Sequence, residues 1–68
     1  MKNNIRKIRD RKGMSLIRFH KELLLRDVEC SEQTIRNWEA GNHPVKILVL
    51  KEMAHILECS YDDLITEN

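Results

Sequence analysis

Few residues in this chain of 68 break helices or build flat binding platforms. One proline and two glycines leave little punctuation, which favours helices over a turn-rich β-sheet. Aromatic residues make up only 4%, which argues against the stacking platforms that hold single-stranded nucleic acids. No apolar run is long enough for a signal peptide or a membrane span, so we expect a cytoplasmic protein with no membrane partner.

The two cysteines and three histidines show no spacing that is typical of a metal site. Cys30 and Cys59 each lie in a Glu-Cys-Ser triplet ahead of a predicted helix, where a small apolar side chain can enter the core. We therefore expect both to be reduced, buried, structural thiols. No nucleophile, base and oxyanion donor occur together, so the sequence predicts no enzyme, no catalytic residue, no metal and no cofactor.

The charge of the chain is nearly balanced, at +1, but it is unevenly distributed. Residues 1–13 carry six basic side chains and one acidic one, whereas residues 41–68 carry two basic and five acidic ones. Such an asymmetry could orient a domain over phosphates. It is also the pattern of a solvated basic helix, so charge alone does not decide between these interpretations.

Apolar spacing and stop signals predict one domain over residues 1–68 with five helices. The first covers about 3–12, the second follows a cap at Ser15 and stops near Arg26, and the third is 32–39.

The fourth predicted helix covers about 45–57, with Pro44 at or near its first turn, and Ser60 caps a short fifth helix. Several apolar side chains look surplus to a core of this size, which indicates an interface with another chain or imperfect packing. They are Leu24, Leu25, Leu48, Val49 and Ile56.

The third helix is the most informative stretch of the chain. Ser31 is a good N-cap, because its hydroxyl can accept a hydrogen bond from a backbone N–H of the first turn. Ile35 and Trp38 are three residues apart and point toward a core, and Gly41 supplies a left-handed end. The remaining side chains are of types that hydrogen-bond base edges or phosphates in a major groove: Glu32, Gln33, Arg36 and Asn37.

Several segments share an order with a known family: Ile5-x-x-Ile8-Arg9, Gly13-Met14-Ser15, residues 30–41 ending in Trp38-Glu39-x-Gly41, residues 53–60 and residues 62–65. Together they cover nearly the whole chain. The chain thereby resembles the XRE-like family, the small helix-turn-helix domains of phage repressor and Cro type. The segment that ends in Trp-Glu-x-Gly is the most specific part of this resemblance.

The resemblance implies an all-α, five-helix, lambda-repressor-like fold that binds double-stranded DNA as a homodimer. It makes residues 32–39 the recognition helix in the major groove, and it matches Arg9 and Glu39 to a pair that forms a buried salt bridge in some members. Ser31 and Thr34 correspond to phosphate-contacting or capping positions. The DNA-binding residues that it implies are Ser31, Glu32, Gln33, Thr34, Arg36 and Asn37.

Three departures from the family pattern affect the helix-turn-helix itself. Leu16 replaces a glutamine that usually touches a phosphate. The segment between the second and third helices is about five residues longer, with 24–28 extra. Five added residues rotate a helix by roughly 500°, which is out of phase with whole turns. Glu29 replaces a glycine, so the left-handed residue there is lost or moved.

Two functions from different classes therefore stay open. The first is a sequence-specific DNA-binding regulator that acts as a dimer. The second is a protein-interaction module, an antirepressor or modulator that keeps the fold but binds another regulatory protein. Leu16, the longer segment, the acidic Glu32 and the near-neutral charge favour the second function. An antitoxin role rests on fold analogy alone.

Overall fold

The structure, a computed structural model, describes residues 2–65 and contains five α-helices there. They are α1 (Ile5–Arg11), α2 (Leu16–Leu25), α3 (Glu32–Glu39), α4 (Ile47–Leu57) and α5 (Tyr61–Ile65). The all-α class and the five helices predicted from the sequence are confirmed, and α3 has its predicted bounds.

One apolar core joins the helices, and each of them contributes to it. The buried apolar residues are Ile5, Ile8, Phe19, Leu23, Ile35, Val45, Leu50, Met53, Ala54, Ile56, Leu57 and Leu64. The prediction that Ile56 is surplus to the core is wrong, because it is only 8% exposed. Since α4 packs against both α2 and α5, it buries more of its circumference than a single stripe.

The other apolar residues predicted to be surplus lie mainly outside the core. Leu25 and Leu48 are each 76% exposed, and Leu24 is 46% exposed. Val49 differs from them because it is half-buried and packs against the core. Ile47 lies three residues before Leu50, and this spacing predicts a place for it on the inner face of α4, but it is 58% exposed.

Helices α2, α3, α4 and α5 share one local arrangement at their starts, and serine side chains cap three of them. The Ser15 and Ser31 hydroxyls each accept a hydrogen bond from a first-turn N–H at 3.1 Å, and Ser60 and Asp63 bond reciprocally as a capping box. An apolar residue precedes each cap and another lies four positions inside the helix, which is the placement of a hydrophobic staple. These pairs are Met14 with Phe19, Cys30 with Ile35, Val45 with Leu50 and Cys59 with Leu64.

This placement explains both Glu-Cys-Ser triplets. Cys30 and Cys59 pack against the core just before the caps, but they are half-buried rather than buried as predicted. A residue that precedes a cap lies at the surface end of its helix, so it is covered on one side only. Partial burial raises the pKa of both thiols, which disfavours their reactive thiolate forms.

Four helices end in a residue with a left-handed backbone: Gly13, Asp27, Gly41 and Glu58. In each case the next N–H bonds to a carbonyl five residues back, as Val28 does to Leu23 at 3.0 Å. Asp27, with φ of 63°, thus supplies the left-handed residue that a glycine at position 29 supplies in the family pattern. The added residues extend α2 to Leu25 before the chain turns.

The fourth helix starts later than predicted. Its first residue is Ile47, and Lys46 before it is still extended, with ψ of 145°. Pro44 therefore lies outside the first turn, in the loop after α3. The buried Val45 anchors this loop in the core, and the chain enters the helix only after that anchor.

The two non-glycine helix ends predict a gain in stability on substitution. A left-handed backbone costs an L-residue about 1–2 kcal/mol, and glycine avoids most of this cost. We expect Asp27→Gly and Glu58→Gly each to raise the free energy of unfolding by about 0.5–1 kcal/mol, measured by urea titration. Arg26→Gly is the control, because φ is −99° there, and it should be destabilising. A loss of stability in both first variants would contradict this account.

Candidate nucleic-acid interface

The outward face of α3 is centred on two amides. Ile35 is fully buried, and Gln33 and Asn37 lie one turn apart on the opposite side of the helix. Gln33 Nε2 donates a hydrogen bond to Asn37 Oδ1 at 3.3 Å. Gln33 is exposed and Asn37 half-buried, so the pair stands on the outward face with its orientation partly fixed.

The other predicted site residues surround this pair. Arg36 is exposed on one flank, and Thr34 is half-buried on the other. Ser31 accepts from the N–H of Thr34 at 3.1 Å, and the two hydroxyl oxygens are 2.9 Å apart. Ser31 and Thr34 thus cap the helix in this structure. Glu32 is half-buried in the first turn, away from the centre of the outward face.

A buried ion pair fixes the last turn of α3. Arg9 Nε donates to Glu39 Oε2 at 2.7 Å, and Arg9 Nη2 donates to Oε1 at 3.3 Å. The two side chains are only 9% and 6% exposed. The carboxylate raises the pKa of Arg9 through this hydrogen bond, so the guanidinium stays charged despite its burial. The pair that the family resemblance implied is therefore present.

Asn3 makes a second contact with the last turn of α3. Asn3 Nδ2 donates to the carbonyl of Trp38 at 2.8 Å, while Asn3 Oδ1 accepts from the N–H of Ile5 at 3.0 Å. Trp38 itself is half-buried against the core, so the packing role predicted for it is only partly met. Sequence reasoning missed Asn3, because an asparagine ahead of a helix indicates a cap and nothing marks a partner in a distant segment.

Histidine ties the start of α3 to α2. His20 Nε2 lies 2.6 Å from the carbonyl oxygen of Cys30, the residue before the Ser31 cap. His20 belongs to α2 and is half-buried, so this bond holds the longer connection between α2 and α3 against α2. The sequence offered no signal for it beyond the presence of a donor on α2.

A depression of about 400 Å³ beside α3 gathers positive charge. Arg6 and Arg36 line it together with Leu16, the first residue of α2, and with Arg9 and Glu39, which neutralise each other. Arg6 is exposed and forms a loose ion pair with Asp10 at 3.7 Å. Because a helix N-terminus carries partial positive charge, the start of α2 adds to the two arginines. Arg6 was predicted only as part of a basic segment, not as a site residue.

The comparison with known protein families matches residues 5–64 to a helix-turn-helix family. The chain belongs to the XRE-type helix-turn-helix family. Its five helices have the lambda-repressor-like arrangement of that family. The chain is accordingly a DNA-binding transcription regulator of the XRE type, and the family is one of regulators rather than enzymes. A comparison with curated proteins found no match.

Residues 2–65 of this XRE-type chain contain no cluster of three or more metal-ligating side chains. None of the helices in this range is long and apolar enough to cross a membrane.

The basic N-terminal segment contains arginines in two different environments. Arg9 is buried against Glu39, whereas Arg6 stands free of the core beside α3.

The buried pair of this XRE-type chain predicts strong coupling between two substitutions. Arg9→Met or Glu39→Leu alone leaves a buried charge without its partner, at a cost of about 3–5 kcal/mol. That cost is comparable with the whole stability of a domain of this size. We expect the double variant to lose much less free energy of unfolding than the sum of the two single losses. Urea unfolding of the parent and the three variants measures these losses. Arg6→Met, on the exposed side of α1, is the control. Additive losses would show that the pair is not coupled.

Proposed function

We propose that this protein is a sequence-specific regulator of the phage repressor or Cro kind that binds double-stranded DNA as a homodimer in the cytoplasm. Its α3 enters the major groove and reads base edges. The observation that carries this proposal is the outward amide pair of Gln33 and Asn37, held on a helix whose last turn is fixed by Arg9 and Glu39.

Gln33 has the hydrogen-bonding capacity to read adenine. Its Nε2 carries two hydrogens, of which one is directed to Asn37. The second hydrogen and the carbonyl oxygen remain for N7 and N6 of adenine, the bidentate contact of a glutamine in the major groove. The bond to Asn37 reduces the rotamer freedom that Gln33 would lose on binding.

Phosphate contacts come from the depression beside α3. Arg6 and Arg36 line it and are both exposed, and Leu16 at the N-terminal end of α2 lines it as well. These groups compensate for Leu16, which cannot make the phosphate contact of the usual glutamine. Ser31 and Thr34 add hydroxyls at the start of α3, and Glu32 can accept from a cytosine amine.

Dimerisation follows from the small size of the reading surface. One short helix in one groove buries too little area for useful specificity. Two copies would read half-sites about 34 Å apart, one helical turn of DNA.

Selection from a random pool of double-stranded DNA tests the proposal directly. We expect an enriched sequence with two related half-sites. Gln33→Ala should then weaken binding to that sequence by about 1–3 kcal/mol and leave non-specific binding nearly unchanged. Lys21→Ala, an exposed change on α2, is the control. Equal losses of specific and non-specific binding would show that Gln33 does not read bases.

The salt dependence of binding tests the phosphate contacts. A phosphate-neutralising side chain contributes about −0.9 to the slope of log K against log salt on duplex DNA. We therefore expect Arg36→Gln and Arg6→Gln each to flatten that slope by about 0.9. Lys51→Gln removes the same charge from α4, on the side of the fold near Cys59 and Tyr61, and should leave the slope unchanged. If all three variants flatten it equally, the effect is one of net charge.

One observation favours the protein-interaction alternative. Ile17, the second residue of α2, is 65% exposed and directly follows Leu16, which lines the arginine-lined depression. An exposed isoleucine is better covered by an apolar surface than by a phosphate. A selection that enriches no DNA sequence, together with a flat salt dependence, would support this second function.

A further inference from the structure

A groove runs between the turn after α2 and the start of α4, away from the arginine-lined depression. Its volume is about 440 Å³, and its apolar floor is formed by half-buried side chains of Val28, Trp38 and Val49. Leu48 stands on its rim and is 76% exposed. A leucine this exposed, beside apolar side chains that are only half covered, indicates a surface that another chain covers.

The charges on the rim decide which partner fits. Arg26 and Glu52 pair across the groove at 3.5 Å, so they neutralise each other. Lys46, Glu29 and Asp27 also line the groove, and none of the three forms an ion pair with another described residue. A strongly acidic or basic partner would find both signs here. A second copy of the same surface, turned by a two-fold axis, presents Glu29 to Lys46 twice.

We infer that this groove, which we call the α4 groove, is the surface through which two copies of the chain pair. Leu48 of each copy packs onto the apolar floor of the other, and Lys46 of each copy faces Glu29 of the other. The inference rests on the proposed function, because it assigns a surface to the proposed dimer. Trp38 connects the groove to the recognition helix, so pairing here would also set how the two α3 helices face the DNA.

A pair of leucines with equal exposure provides the first test. Leu48 and Leu25 are both 76% exposed, but only Leu48 lines the groove. We expect Leu48→Lys to weaken self-association at least tenfold in sedimentation equilibrium, and Leu25→Lys to leave it unchanged. Circular dichroism should show both variants folded, because neither side chain is part of the core. Dissociation by Leu25→Lys alone, or a parent chain that is monomeric at millimolar concentration, would overturn the inference.

A charge exchange provides the second test. Lys46→Glu alone places two carboxylates opposite each other at both rim contacts, and Glu29→Lys alone places two cations there. A mixture of the two variants restores both opposite-charge contacts within one heterodimer. With one variant labelled with nitrogen-15, native mass spectrometry should show heterodimers outnumbering homodimers at least tenfold. A statistical mixture of the three dimers would overturn the arrangement.

Binding to the selected DNA separates this inference from the proposed function. If the parent pairs through Leu48 but selects no DNA sequence, the pairing surface stands and the proposed function fails. If the parent binds two half-sites and Leu48→Lys binds them with unchanged cooperativity, the proposed function stands and the α4 groove is not the interface.

Discussion

The bidentate pair between Arg9 and Glu39 is the interaction on which the geometry of α3 depends. It joins α1 to α3 through the hydrogen bond from Arg9 Nε to Glu39 Oε2 at 2.7 Å. Arg9 Nη1 also donates to the carbonyl of Met14 at 2.8 Å. One guanidinium thus fixes the end of α1, the entry to α2 and the last turn of α3. A buried pair adds little net stability over apolar residues, but it tolerates few geometries. Its contribution is therefore to the angle at which α3 is presented.

The start of α3 is fixed by neutral groups instead. The Ser31 cap, the staple position of Cys30 and the bond from His20 to the Cys30 carbonyl act within a few residues of each other. Because α2 is longer than in the family pattern and the chain turns at Asp27, these contacts determine where the longer connection leads into α3. Helix α3 is consequently held at both ends by contacts of different chemical kinds.

Local signals in the sequence predicted much of this fold. Serine caps and left-handed glycines act over three to five residues, so the bounds of α3 and the helix order could be read directly. The exposure of Leu25 and Leu48 also followed from counting apolar side chains against the size of the core. Burial on α4 was less predictable, because its inner face is set by two neighbouring helices. That is why Ile56 and Ile47 were assigned to the wrong sides.

The contacts that position the candidate site were harder to predict, because they join distant segments. Asn3 bonds to Trp38 and His20 to Cys30, and each is one polar residue among many with no periodic signal. The Arg9 and Glu39 pair was available only through the family resemblance. Arg6 was indistinguishable from its basic neighbours until the fold placed it beside Leu16 and Arg36.

The self-contained helix ends have a consequence for how quickly the chain can fold. The serine caps of α2 and α3 close within three residues and their left-handed endings within five, so these two helices can start and stop before any other helix is present. Loop closure then costs little entropy, since the connections between the helices are short. Proteins dominated by such local contacts fold in about microseconds to milliseconds. A small regulator built in this way spends little time with its apolar surfaces open to other chains.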